Sequence, residues 1–340
     1  MTIKKILLAV VSSLLILSLL AGFGAYWGIL KINDYAQSPL TLSAPQELQV
    51  TSGTTIRAIM RTLATQGLID NDWRFKGLLK LHPELANIQA GLYEIKPNES
   101  LSSLLQKLNA GDEKSFSVTL IEGKTIGQWQ QELKNQPHLV FSKDSFAKVL
   151  AEQNGRGNPE GQFFPDTFHY TAGQSSHDLL TLSYQKMQQE LKSAWEGREK
   201  GLPLKSPYEL LILASIVEKE TGLKSERDWV AAVFINRLRK GMRLQTDPTV
   251  IYGMGESYNG NITRKDLRTK TPYNTYRING LPPTPIAAPS KAALMAAAHP
   301  AKVSYLYFVS RNDGSHVFSN TLKAHNRAVN KFQRNRSATK

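Results

Sequence analysis

No cysteine occurs in the 340 residues, which excludes disulfide staples, thiolate zinc sites, a catalytic thiol and the acylated cysteine of a bacterial lipoprotein. The compartment is therefore not set by redox chemistry. The seven histidines are scattered; none stands in HExxH or a similar ligand spacing, so no metal is expected. A GxSxG elbow is missing, which argues against a serine hydrolase. Gly253 and Gly255 are followed by a glycine only at 260, which fits neither nucleotide fingerprint, and no cofactor is expected. Acidic residues are the scarcer charge: 28 Asp and Glu against 42 Lys and Arg give a formal net charge of +14. Such an excess attracts a polyanion, whether nucleic acid, anionic lipid headgroups or an acidic cell-wall polymer, unless it is simply solvated. Part of it crowds a basic tail, residues 331–340, at Lys331, Arg334, Arg336 and Lys340.

Location chooses between those partners. After Lys4 and Lys5, residues 6–30 carry no charged side chain, and about 25 residues at about 1.5 Å each outrun the roughly 30 Å hydrocarbon core. Tyr26 and Trp27 near the end of the run suit an interfacial aromatic belt, and the two lysines favour keeping the N-terminus in the cytoplasm. A cleaved signal peptide competes, since Gly22 and Gly24 offer small residues to a peptidase. The apolar run continues well past them, which favours an uncleaved anchor over residues 1–31. Everything beyond is then exported, and nucleic acid is not a partner. Residues 32–47 are polar with Pro39 and Pro45 and read as a linker.

At 41% hydrophobic content the remaining chain suffices for roughly two domains. One pattern recurs three times between residues 48 and 137: an extended apolar run, a turn residue, a helix-capping Ser or Thr, then apolar residues at helical spacing. The copies read Gly53, Thr55, Ile56, Ile59; Asn98, Ser100, Leu101, Leu104; and Gly123, Thr125, Ile126, Trp129. This arrangement resembles the LysM module, a small βααβ unit that docks N-acetylglucosamine-containing chains. The same units also serve as plain scaffold, and Trp73 and Tyr93 fit either sugar stacking or core packing.

Farther along, Ser206 with Pro207 and Glu209 reads as a capping box opening a helix to about Thr221, with Gly222 as its stop. Residues 210–217 are apolar nearly all round, so a carboxylate at the end of this helix is costly unless it has a purpose or a partner. Two candidates compete. Glu218 and Glu220 lie about 200° apart and face opposite ways. Glu218 shares its face with Leu211, Ala214 and Ser215, whose small side chains leave room for a ligand. Glu220 continues the stripe of Leu213, Ile216 and Val217 or pairs with Lys224 at i+4. Burial would keep a proton on either for a leaving oxygen, which is glycosidase chemistry. Helix geometry leaves the choice open. A second helix, about 226–240, is capped by Ser225 and stopped by Gly241; a long Gly-, Asn-, Tyr- and Pro-rich loop then covers 252–290, a length usually tied to function.

Read together, Ala214-Ser215-Ile216-Val217-Glu218-Lys219-Glu220-Thr221, Leu244-Gln245-Thr246-Asp247-Pro248, Tyr273-Asn274-Thr275-Tyr276, Gly280-Leu281-Pro282-Pro283 with Pro285-Ile286 and Pro289-Ser290, and His316 with Phe318 and Ser319 resemble the MltG (YceG-like) endolytic murein transglycosylases. One departure is Ala287-Ala288 before Pro289, where the family pattern leads one to expect an asparagine. The resemblance implies an α+β chain: an N-terminal transmembrane helix, a LysM-like module over 48–137 and a mixed catalytic domain over 138–330. It also implies Glu218 as the catalytic acid and base, with Gln245, Asp247, Asn274, Tyr276, Ser215 and Glu220 as substrate contacts. The implied substrate is the peptidoglycan glycan strand, cut between N-acetylmuramic acid and N-acetylglucosamine with closure of a 1,6-anhydro ring. The implied setting is the inner membrane, with the catalytic part in the periplasm beside peptidoglycan synthases. Two rivals remain: a non-catalytic wall-binding scaffold, and a muramidase that uses water.

Overall fold

The computed structural model describes residues 3–155 and 157–334, so the last residues of the basic tail lie outside the described part. The chain is mixed α+β and divides into two compact units, residues 1–116 and 117–340.

The first unit opens with α1 (Ile3–Gln37), whose apolar side chains stand exposed through Leu30. It is long and apolar enough to cross a membrane, which is consistent with a single-pass anchor. The helix does not stop where a linker was expected. It runs on to Gln37 because Ile32, Tyr35 and Ala36 face inward at helical spacing and are buried, and the Tyr35 hydroxyl donates to the Asp70 carbonyl at 2.5 Å. Then come β1 (Gln46–Val50), α2 (Ile56–Thr65), α3 (Trp73–Leu81), β2 (Gly91–Ile95) and α4 (Leu101–Ala110). Strands β1 and β2 pair antiparallel with Leu48 opposite Tyr93, and their inner residues join Met60, Leu63, Leu78, Leu104 and Leu108 in one core. Thr55 caps α2 through the Ala58 amide, and Ser100 caps α4 through the Ser103 amide, as the spacing predicts.

The second unit contains β3 (Phe116–Thr119) beside β4 (Thr167–Tyr170), with α5 (Ile126–Lys134) and α6 (Ser145–Glu152) between them. After α7 (Ser176–Gly197) come α8 (Pro207–Glu220), α9 (Arg227–Arg239), α10 (Asp247–Met254), α11 (Arg264–Arg268) and α12 (Lys291–Ala298). The hairpin β5 (Tyr307–Ser310) and β6 (His316–Ser319) pairs antiparallel with Phe308 opposite Phe318, and α13 (Leu322–Val329) follows. The third copy of the capped pattern, at Thr125, therefore opens α5 in this second unit; its capping box with Gln128 is complete.

Helix α8 is the centre of this unit. Residues 210–217 are all buried, with α7, α9 and α12 against them. The alanine-rich face of α12 permits close approach, since Ala293, Ala296 and Ala297 are almost wholly buried in the same core. At its start, Ser206 accepts from the Glu209 amide at 3.3 Å, while the Glu209 carboxylate reaches past Ser206 to the Lys205 amide at 2.6 Å. The expected capping box is thus shifted by one residue. Thr221 is extended and ends α8 ahead of Gly222. Ser225 does not cap α9; it sits in a 3-10 turn, Lys224–Glu226, that leads directly into the helix. The long loop is shorter than expected, because the end of α10, a 3-10 turn over Gly255–Ser257 and α11 are folded out of it.

Candidate active site

The two carboxylates at the end of α8 have separate surroundings, as roughly 200° around a helix requires. The Glu218 side chain is 6% exposed. Its Oε2 accepts from the Ser290 amide at 2.9 Å and from the Ser290 hydroxyl. Among the described residues its Oε1 has one contact, Arg227 Nη2 at 3.4 Å, long for a charge-assisted hydrogen bond. The hydroxyl of Ser290 has one proton to give, and spends it on Glu218 while accepting from the Ala293 amide at 3.2 Å. Ser290 thereby both caps α12 and holds the carboxylate. Arg227, at the first turn of α9, is 8% exposed, and its buried Nε has no hydrogen-bond partner among the described residues.

Gly123 lies against the Glu218 and Lys219 stems, and Lys219 Nζ donates to its carbonyl at 3.0 Å. The Gly123 amide in turn donates to Ala288 O at 2.8 Å, and the Ala288 amide to Lys124 O at 3.0 Å. The pair of alanines that departs from the family pattern is therefore buried, and it ties the 123–124 turn to the segment carrying Ser290 through main-chain bonds that any side chain could make.

On the other side of α8, Glu220 accepts from the Thr246 hydroxyl rather than pairing with the exposed Lys224. A cleft of about 490 Å³ opens there, lined by Glu220, Arg237, Gln245, Asp247, Tyr276 and His316 among others. Four expected contact residues thus converge. Burial pushes the Glu220 carboxyl up to about 7, helped by the Asp247 charge and opposed by the Thr246 hydrogen bond and Arg237. Asp247 Oδ1 accepts from the Tyr276 hydroxyl at 2.7 Å; the Tyr276 phenol is raised by burial first and by that bond second. Gln245 has φ +51°, unusual for a residue with a β-carbon. Its amide donates to Thr275 O at 3.2 Å, and its Oε1 accepts from Arg237 at 3.4 Å.

Ser215 and Asn274 do not line this cleft. Ser215 is fully buried; its hydroxyl donates to Ile212 O at 2.7 Å and accepts from the Ile286 amide at 3.0 Å, fastening the proline-rich segment to α8. Asn274 is 1% exposed, donates to the carbonyls of Asp266, Leu267 and Thr269, and accepts from the Tyr276 amide at 3.0 Å. It orders the loop and aims Tyr276. Sequence reasoning passed over Arg227, Arg237 and Glu160. Arg227 stands between Glu226 and Asp228, where a charged residue reads as solvated surface. Glu160 is 5% exposed and accepts from the Ile126 amide at 3.2 Å and the Tyr252 hydroxyl at 3.3 Å, and burial pushes it up to about 7. Ser290 carried a legible signal, a serine directly ahead of an alanine-rich helix.

The YceG-like family matches residues 48–331, across both units. The chain belongs to the YceG-like family. It is 31% identical to the endolytic murein transglycosylase of Bacillus subtilis over 84% of each chain. It is 28% identical to the endolytic murein transglycosylase of Streptococcus pneumoniae over 94% of its own residues, and spans 64% of that longer protein. A crystal structure of a YceG-like protein from Listeria monocytogenes superposes with a TM-score of 0.55 at 29% identity, over 84% of this chain and 99% of the other. Within this YceG-like chain, both Glu218 and the Glu220 cleft fall inside the matched span.

Proposed function

We propose that this YceG-like protein is a membrane-anchored lytic transglycosylase that cuts peptidoglycan strands internally, with Glu218 as its acid and then its base. The names of its relatives support the reaction class. One observation carries the residue assignment: the unequal holding of the Glu218 carboxylate. Both Ser290 donors fix Oε2, which orients the group, while among the described residues Oε1 has a single long contact. That oxygen is the one that exchanges the proton.

In the proposed reaction Glu218 gives its proton to the glycosidic oxygen between N-acetylmuramic acid and N-acetylglucosamine. The C1–O bond breaks, and the departing sugar leaves with a free hydroxyl. Positive charge develops at C1 and the ring oxygen. The C6 hydroxyl of the same muramoyl residue attacks C1 and passes its proton to the Glu218 carboxylate, which closes the 1,6-anhydro ring and restores the acid. No water is consumed. One carboxyl is enough because the nucleophile belongs to the substrate, whereas a hydrolase needs a second at roughly 5–5.5 or 6.5–9.5 Å. Glu220 faces the other way and cannot serve as that partner.

Gln245, Asp247, Tyr276 and Glu220 are assigned to the strand beyond the cut, with Asn274 and Ser215 holding the loop that presents them. The β1-α2-α3-β2 order with its antiparallel pair supports a LysM-like glycan-binding role within the 48–137 region, with 138–330 catalytic; the third copy places Gly123 against the Glu218 stem. The lysines at positions 4 and 5 support an N-terminus in the cytoplasm, a helix in the inner membrane and a periplasmic enzyme, working on nascent strands beside the synthases that make them. A second assignment has its own support: Glu220 lines a cleft and holds its proton to about 7, as a general acid should. Digestion of purified glycan strands by the Glu218→Gln and Glu220→Gln variants separates the two. Loss of cleavage in Glu218→Gln with residual cleavage in Glu220→Gln is expected; the reverse moves the acid to Glu220.

A further inference from the structure

Helix α1 is rooted in the first unit immediately beyond its apolar run. Charge-free residues end at Leu30, and the first buried side chain is Ile32. No spacer separates the hydrocarbon-length segment from the folded unit. Two contacts fix α3 against this stretch. A β-carbon on Gly77 would collide with the Ile32 side chain, so glycine permits the approach. Three residues earlier on α3, the Arg74 guanidinium stacks over the Tyr35 ring at 4.8 Å. Gly77 thus meets position 32 and Arg74 meets position 35, so α3 runs antiparallel to α1 and its C-terminal end points back along the apolar run.

Level then follows from rise. At about 1.5 Å per residue, Ile32 lies about 3 Å and Tyr35 about 7.5 Å past Leu30. A headgroup layer is roughly 5–7 Å thick on each side of the hydrocarbon core. The turn from Arg74 to Gly77 therefore spans that layer, and Lys80 and Leu81, about 4.5 and 6 Å farther along α3, lie within about 3 Å of its inner boundary. Trp73, Lys76 and Lys80 share one face at i, i+3 and i+7 and are all exposed, as is Leu81 at 43%. Lys31 is exposed at the same level on α1, beside the Trp27 ring. Two lysines, a tryptophan and a leucine on the outer side of a short helix form the amphipathic face of an interfacial element.

We infer that α3 is a membrane-surface element: its end, Lys80 and Leu81, lies in the headgroup layer, with Lys76 and Lys80 against the phosphates of anionic phospholipids, so that the first unit is seated on the bilayer. This rests on α1 spanning the membrane. Because the chain has no cysteine, single spin labels report depth in the whole protein reconstituted in vesicles of phosphatidylethanolamine and phosphatidylglycerol. Labels go on Leu81→Cys and Lys80→Cys, on Leu14→Cys within the span, and on Lys323→Cys as an exposed aqueous reference. The expected order of oxygen over nickel-chelate accessibility is 14 deepest, 80 and 81 intermediate, 323 in water. In the Lys76→Glu background the label at 81 should shift toward water in these vesicles and stay unchanged in purely zwitterionic ones. Labels at 80 and 81 that match 323 while 14 is deep overturn the inference and leave the anchor standing. A label at 14 that matches 323 overturns the anchor itself.

Discussion

Ser290→Ala separates two jobs that one hydroxyl performs. Losing the α12 cap costs about 0.5–2 kcal/mol. Losing a hydrogen bond to a buried carboxylate costs roughly 1.5–3 kcal/mol, less whatever the remaining Ser290 amide retains. In the parent protein the substitution should therefore destabilise the second unit by about 2–4 kcal/mol. Replacing Glu218 by Leu removes the acceptor altogether, so in that background Ser290→Ala should cost only about 1 kcal/mol, the cap alone. The coupling of about 1–3 kcal/mol lies in the range expected for residues in contact. In a domain of about 150–250 residues each kcal/mol moves the midpoint by about 2–4 °C. A thermal melt of the four proteins in the cycle thus reads a drop of at least about 4 °C in one background and about 2–4 °C in the other. Equal drops in both would refute the claim that Ser290 holds the carboxylate.

Arg227→Ala should lower turnover at saturating strand at least about tenfold, which corresponds to about 1.4 kcal/mol of transition-state stabilisation, with a smaller effect on the Michaelis constant; Arg227→Lys should restore part of it, and single-turnover digestion measures both. Glu160 is buried and its carboxyl is raised to about 7, so between about pH 4.5 and 7 the folded state keeps a proton that the unfolded chain has lost. Stability attributable to this group is present below that window and lost as pH rises through it. Glu160→Gln, which still accepts from the Ile126 amide, should flatten that decline and stabilise the protein at pH 8 by about 1–3 kcal/mol, read by denaturation at pH 5 and pH 8. Gln245→Gly relieves a left-handed backbone and should leave the melting midpoint unchanged or slightly higher, while strand cleavage falls because the side chain beside Arg237 is gone. Leu213→Ala, at a site with no exposure, should cost about 2–5 kcal/mol by leaving a cavity between α8 and its neighbours.

Much of this arrangement was legible before the structure. Ser206-Pro207 announced α8, the hydroxyl ahead of each apolar repeat announced α2, α4 and α5, and opposite faces for Glu218 and Glu220 followed from helix geometry alone. What remained hidden depended on tertiary contact. The stretch after Lys31 looked like a polar linker because the three residues that the helix buries there, Ile32, Tyr35 and Ala36, are spaced among Asn33, Asp34 and Gln37, and only the packing of α3 explains why the helix continues. Arg227 and Glu160 were invisible because a charge is normally a surface residue; their burial is justified by partners about 9 and 34 positions away, Glu218 and Ile126. Ser215 and Asn274 sat in the right motifs, yet their polar atoms are used within the fold. A motif shows that a residue matters without showing whether it faces the ligand or holds the residue that does.

The central claim is tested most directly by mass spectrometry of the fragments released from purified glycan strands by the whole protein in detergent, beside its Glu218→Gln variant. The account predicts internal cleavage with 1,6-anhydro ends from the parent and no cleavage from the variant, with strand binding retained. Reducing ends would mean that water is the nucleophile, and undiminished cleavage by the variant would remove Glu218 from the reaction.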